Sequence, residues 1–80
     1  MFTPALSRAA RGLLDWSQTD LATRAGVSLS TIRDFETGKR TPIANNLAAM
    51  QGAIEAAGIQ FIPENGGGTG LRFRERSESS

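Results

Sequence analysis

Up to Gly58 the apolar positions recur at steps of three and four, the spacing of one helix face, and beyond it they switch to alternation. A first helix is predicted to start at Thr3-Pro4, where the threonine hydroxyl caps and proline takes a position whose amide would be unpaired anyway. Leu6, Ala9, Ala10, Leu13 and Leu14 make its apolar face, with Arg8 and Arg11 on the flanks. Ser17-Gln18-Thr19-Asp20 has the form of a capping box, and Trp16 stands where a hydrophobic staple would meet Leu21. Gly26 ends this second helix. Ser28 caps a third, Val27 can staple to Ile32, and Ile32 with Phe35 makes a buried edge before Gly38 closes the helix. Ile43, Leu47, Met50, Ile54 and Ala57 draw a fourth helix, weakened inside by Gly52 and ended by Gly58.

The alternating part, Ile59-Gln60-Phe61-Ile62 and Leu71-Arg72-Phe73-Arg74, flanks a glycine-rich turn from Pro63 to Gly70 and predicts a β-hairpin. Residues 75–80 are polar, carry mixed charge and have nothing to bury, so they are expected to be disordered. The chain therefore divides into a mainly α domain over 1–58, a hairpin extension over 59–74 and a short tail. Leu13, Leu14, Leu21, Ile32, Phe35, Leu47 and Ile54 are the expected core, joined by Trp16.

Composition narrows the function. With 80 residues, no Cys and no His, neither a disulfide framework nor the usual zinc and iron ligands are available, so no metal or cofactor is expected and a hydrophobic core must hold the fold alone. Nucleophilic and acid-base chemistry lose their commonest residues as well, and the carboxylates are scattered singly, so a binding module is expected rather than an enzyme. The Gly66-Gly67-Gly68-Thr69-Gly70 run lacks the Lys-Ser/Thr and following helix of a phosphate cradle, which leaves it a hairpin turn. No apolar run approaches the roughly 20 residues of a membrane span, and the N-terminus lacks a signal-peptide layout, so a cytoplasmic location is expected.

The stretch from Gln18 to Phe35 carries the most information. Leu21 and Ala22, a glycine turn at Gly26, then Val27, Ile32 and Phe35 return two short helices to one core, with small Ala22 permitting close approach. From Trp16-Ser17-Gln18 through Gly26-Val27-Ser28 to Phe35-Glu36-Thr37-Gly38-Lys39, the chain resembles the Xre/Cro helix-turn-helix family of phage and bacterial repressors, over about residues 5–57. The resemblance implies a lambda-repressor-like bundle of four helices, here followed by the hairpin, with the third helix exposed for recognition. It also implies that Gln18 and the residues after the third helix, Lys39, Arg40 and Thr41, contact phosphates, and that Glu36 pairs with an arginine of the first helix, matched by Arg11.

At about 100° per residue from buried Ile32, the outward face of the third helix carries Ser30, Arg33, Asp34 and Thr37, flanked by Leu29 and Thr31. Together with Ser28, Gln18, Lys39 and Arg40 these are the candidate binding residues. Arg33 has the geometry for guanine O6 and N7, and Asp34 can accept from cytosine; a solvated Gln18, or an Arg33 stem merely covering Phe35, is the plainer reading of each.

Charge argues against a strong DNA footprint. Residues 1–58 hold six basic groups (Arg8, Arg11, Arg24, Arg33, Lys39, Arg40) against five acids (Asp15, Asp20, Asp34, Glu36, Glu55), a small excess for a phosphate binder. The whole chain is also similar to the small Xre-type antiactivators of rhizobial integrative and conjugative elements. That resemblance implies a negative regulator that sequesters transcriptional activators of transfer genes, LuxR-type quorum-sensing regulators among them. An operator-binding repressor and an antitoxin are the alternatives, and the expected oligomeric state is a monomer or weak homodimer.

Overall fold

A computed structural model describes residues 2–62 and 70–73. The elements run α1 (Pro4–Leu14), α2 (Gln18–Ala25), α3 (Leu29–Glu36), α4 (Ala44–Ala56), β1 (Ile59–Ile62) and β2 (Gly70–Phe73). The mainly helical bundle with a C-terminal hairpin is thus present. Most of the turn (63–69), with Arg74, Arg76 and the 75–80 tail, lies outside the described residues. No helix among the described residues is long and apolar enough to cross a membrane.

Local chemistry sets the helix ends. Thr3 accepts from the Leu6 amide and Pro4 opens α1, while Ser17 and Asp20 complete a reciprocal capping box before α2. Gly26 stops α2 in the left-handed region (φ 71°), where a side chain would be strained. Asp15 does the same work for α1 at φ 59°, a left-handed ending that no glycine announces.

The core gathers Ala10, Leu21, Ala22, Ile32, Phe35, Met50, Ile54 and Ile59, all buried. Leu14, Trp16, Val27 and Leu47 pack against it half-buried. Phe2 is a member the helical periodicity passes over because it precedes the first cap. Its ring stacks on Phe35 with centroids 5.5 Å apart and meets Phe61 edge-on at 5.6 Å, tying the N-terminus to α3 and to the hairpin. Arg24 lies over the Trp16 ring, 4.6 Å from its centroid.

Two expectations need correction. Leu13 is 43% exposed rather than core: it lies on the same side of α1 as Leu6 and Ala10, but in the last turn, where that side borders an open groove it lines with Leu6 and Leu71 instead of the helical core. Ile43 is 68% exposed, because it is the extended N-cap residue before α4 and so never joins that helix's apolar stripe. Helix α3 ends at Glu36 with Thr37 as its cap, and Gly38 closes it as expected, in the left-handed region (φ 78°) with its own amide on the Phe35 carbonyl and the Lys39 amide on that of Asp34.

Strands β1 and β2 pair antiparallel with Phe61 opposite Leu71 and Ile59 opposite Phe73. Opposed residues share a face, so one side of the hairpin is apolar. Buried Ile59 joins the helical core, β1 lies on α4, and β2 lies on α1. Helix α2 packs between α3 and α4, and α1 braces α3 from the other side.

Candidate functional site

The outward face of α3 is built by its own cap. The Ser28 hydroxyl accepts from the Thr31 amide at 3.1 Å and contacts the hydroxyls of Thr31 at 2.7 Å and Ser30 at 3.1 Å. With Ile32 and Phe35 committed to the core, Ser30, Arg33 and Thr37 are exposed and Leu29, Thr31 and Asp34 half-buried. Thr37 turns its hydroxyl back to the Arg33 and Asp34 carbonyls, 3.0 and 3.2 Å away, so its donor serves the helix end. The backbone amides of Lys39 and Arg40 both donate to the Asp34 carbonyl, which folds this basic pair against the end of α3. Arg33, Lys39 and Arg40 have no carboxylate partner among the described residues.

Beside this face lies a groove of about 260 Å³ between α3 and the start of α4. It is lined by Ser30, Thr31 and Asp34 of α3, by Arg40 and Thr41 of the loop that follows, and by Pro42, Ile43 and Asn46. The last three were not visible as site residues in the sequence; only the loop that joins α3 to α4 brings them to Asp34.

Glu36 faces the opposite way. Its side chain is 1% exposed and forms an ion pair with Arg11, Nη2 to Oε1 at 2.7 Å and Nε to Oε2 at 2.9 Å. The Ser7 hydroxyl also donates to it, and the Arg8 guanidinium donates to its backbone carbonyl. Gln18 completes the set, its Nε2 donating to Oε1 at 3.1 Å. The amide nitrogen expected at a phosphate is therefore drawn inward to the carboxylate. Ser7 escaped the sequence reading, although it lies one turn before Arg11 on the same helix face.

Burial pushes the Glu36 carboxyl up, but hydrogen bonds from Arg11, Ser7 and Gln18 and the Arg11 charge outweigh it and hold the group below its ordinary value. The same pairing, against the smaller opposing effect of burial, raises Arg11. A depressed carboxylate contributes its full stabilisation above the unfolded value of about 4.3 and loses it as pH falls through the lower folded value. Thermal melts should therefore weaken as acid is added below about pH 4.3. Glu36→Gln should lose that part of the slope; an unchanged slope in the variant would place the acid sensitivity elsewhere.

A family model described as helix-turn-helix matches residues 8–54, from α1 to the last turn of α4. No curated protein matches the chain.

Proposed function

From the premise that the chain belongs to the Xre-type helix-turn-helix family, we propose that it is a transcriptional regulator that reads duplex DNA with the outward face of α3. The observation that carries this reading is the cation set Arg33, Lys39 and Arg40, at and just beyond that face and without a carboxylate partner among the described residues. The net charge of residues 1–58 says little about this face, because it averages over the whole domain and the buried Glu36 drops out of it together with its partner Arg11. That carboxylate is buried and matched by Arg11, so it does not oppose phosphate at the surface. Asp34 is the acid left beside the cations, and a carboxylate on a reading helix discriminates by accepting from cytosine.

The division of labour follows from chemistry. Lys39 and Arg40 position the module on the backbone, while Arg33, Asp34 and Ser30 face base edges. The test is fluorescence anisotropy with duplex from the chain's own upstream region and with a scrambled duplex. Arg33→Ala should lose roughly 1–3 kcal/mol on the specific duplex only. Lys39→Ala should weaken both duplexes alike and lower the salt slope by about 1. Absence of binding to either duplex at low salt would overturn the reading.

A second reading is favoured by the exposed Ile43 on the rim of the α3 groove. An apolar anchor beside Arg40 and Asp34 suits a protein surface better than a phosphate backbone. In that reading the same face sequesters a transcriptional activator, of LuxR type for instance, and the chain is an antiactivator of conjugative transfer. Ile43→Ala separates the two: it removes the apolar anchor without adding charge beside Arg40, so it should sharply weaken activator capture while changing DNA affinity only modestly.

A further inference from the structure

Asp34 is a half-buried carboxylate without a donor. Its backbone carbonyl is taken by the Thr37 hydroxyl and by the amides of Lys39 and Arg40, but its side chain has no hydrogen-bond or ion-pair partner among the described residues. A polar group partly withdrawn from water is normally paired, so this one is placed for a donor that arrives from outside.

The groove beside it is largely carbon. Apart from Ser30, Asp34, Arg40, Thr41 and Asn46 it is lined by Pro42, by the exposed side chain of Ile43 and by Thr31. The Thr31 hydroxyl is already engaged, 2.7 Å from that of Ser28, so its methyl is what it has left to offer the groove. An incoming donor therefore meets an acceptor with apolar surface next to it. Arg40, on the same groove, offsets the repulsion that Asp34 alone would exert on a phosphate chain passing there.

The matching base edge carries an amine and an apolar group side by side. Cytosine presents the N4 amine without the apolar group, thymine has a C5-methyl beside an O4 acceptor that a carboxylate repels, and adenine has its amine beside the N7 acceptor. In 5-methylcytosine the amine and the methyl stand on neighbouring ring atoms.

We propose that the α3–α4 groove makes the chain a reader of cytosine modification: Asp34 accepts from N4 of a cytosine, and the C5-methyl of 5-methylcytosine enters the groove against Thr31 and Ile43. This rests on the DNA reading of α3 and adds to it the modification state of the target. The groove, about 260 Å³, has room for the substituent without a shift of α3 or α4. One methyl moved from water to apolar surface corresponds to roughly fourfold in affinity.

Fluorescence anisotropy on the full chain tests it, with duplex from the chain's own upstream region in which one cytosine at a time is replaced by 5-methylcytosine, or its pair by T·A. At one position the methylated duplex should bind roughly fourfold tighter than the unmodified one, while the thymine duplex, which has the same methyl, binds more weakly than both. Asp34→Ala should erase the preference for cytosine over thymine there. Thr31→Ser, which keeps the hydroxyl for Ser28 and removes only the methyl, and separately Ile43→Ala should each bring the ratio of methylated to unmodified affinity toward one, with circular dichroism native. Because the readout is a ratio, a general loss of affinity in a variant does not disturb it. Methylation that is neutral or harmful at every cytosine overturns the inference and leaves the groove to the protein reading. A gain that survives both Thr31→Ser and Ile43→Ala overturns it too, since the methyl would then be felt elsewhere. Absence of binding to any duplex is a different result: it is the failure of the DNA reading, and the inference falls with it.

Discussion

Glu36→Ala is expected to destabilise the chain by about 3–5 kcal/mol, the largest effect of any single polar substitution considered, because it removes the shared acceptor of Arg11, Ser7 and Gln18. For an 80-residue chain the whole stability is of the order of 4–12 kcal/mol, so the loss is a large part of it. Most of that loss is not the value of the ion pair. It is the penalty of leaving a guanidinium, a hydroxyl and an amide partly buried with no acceptor. Urea unfolding should show the midpoint falling with little change in slope. The double variant Arg11→Met with Glu36→Leu, which removes both charges at similar volume, should regain much of the loss; a double variant no better than Glu36→Ala would mean that Ser7 and Gln18, rather than the guanidinium, carry the penalty. Normal stability in Glu36→Ala together with lost binding would reverse the assignment and make Glu36 a recognition residue.

What could be read from the sequence was what local rules determine. The capping box at Ser17 and Asp20, the glycine turn at Gly26 and the Ser28 cap each depend on residues within a few positions of one another, and all three stand in the structure. The Arg11–Glu36 pair spans α1 and α3 and came from the family resemblance, since complementary charge alone would have allowed Arg8 as well. The structure divides the two, giving Arg11 the carboxylate and Arg8 the backbone carbonyl. Illegible were the features that depend on where chains cross. Periodicity could not tell that the apolar side of α1 borders an open groove with β2 in its last turn, which is why Leu13 was expected inside. The groove joining Asp34 to Ile43 and Asn46 depends on the path of the α3–α4 loop, and Phe2 reaches the core only because Phe35 and Phe61 converge on it. The outward face of α3 was legible for the converse reason: once Ile32 and Phe35 are assigned inward, helical geometry fixes the rest.

Ile32→Ala is expected to lower stability by about 2–5 kcal/mol, through lost apolar burial and through the cavity left between α2, α3 and α4. Ile32 is fully buried among Leu21, Phe35, Met50 and Ile54, and its helix is only eight residues long. A helix that short has little stability of its own in water, so α3 is held in shape by its inward side chains, Ile32, Phe35 and Glu36, rather than by its backbone bonds alone. Shortening one of them acts on the reading face without touching it. In a domain of this size the effect corresponds to a fall in melting temperature of roughly 10–30 °C. Duplex binding should be kept at low temperature, where the variant is folded, and lost on warming in step with the circular dichroism signal. That coincidence distinguishes the role of Ile32 from that of Arg33, whose alanine variant should lose specific binding at every temperature with its melt unchanged. An Ile32→Ala melt equal to the parent's would place the side chain outside the core and remove the basis for assigning Ser30, Arg33 and Asp34 to the exposed face.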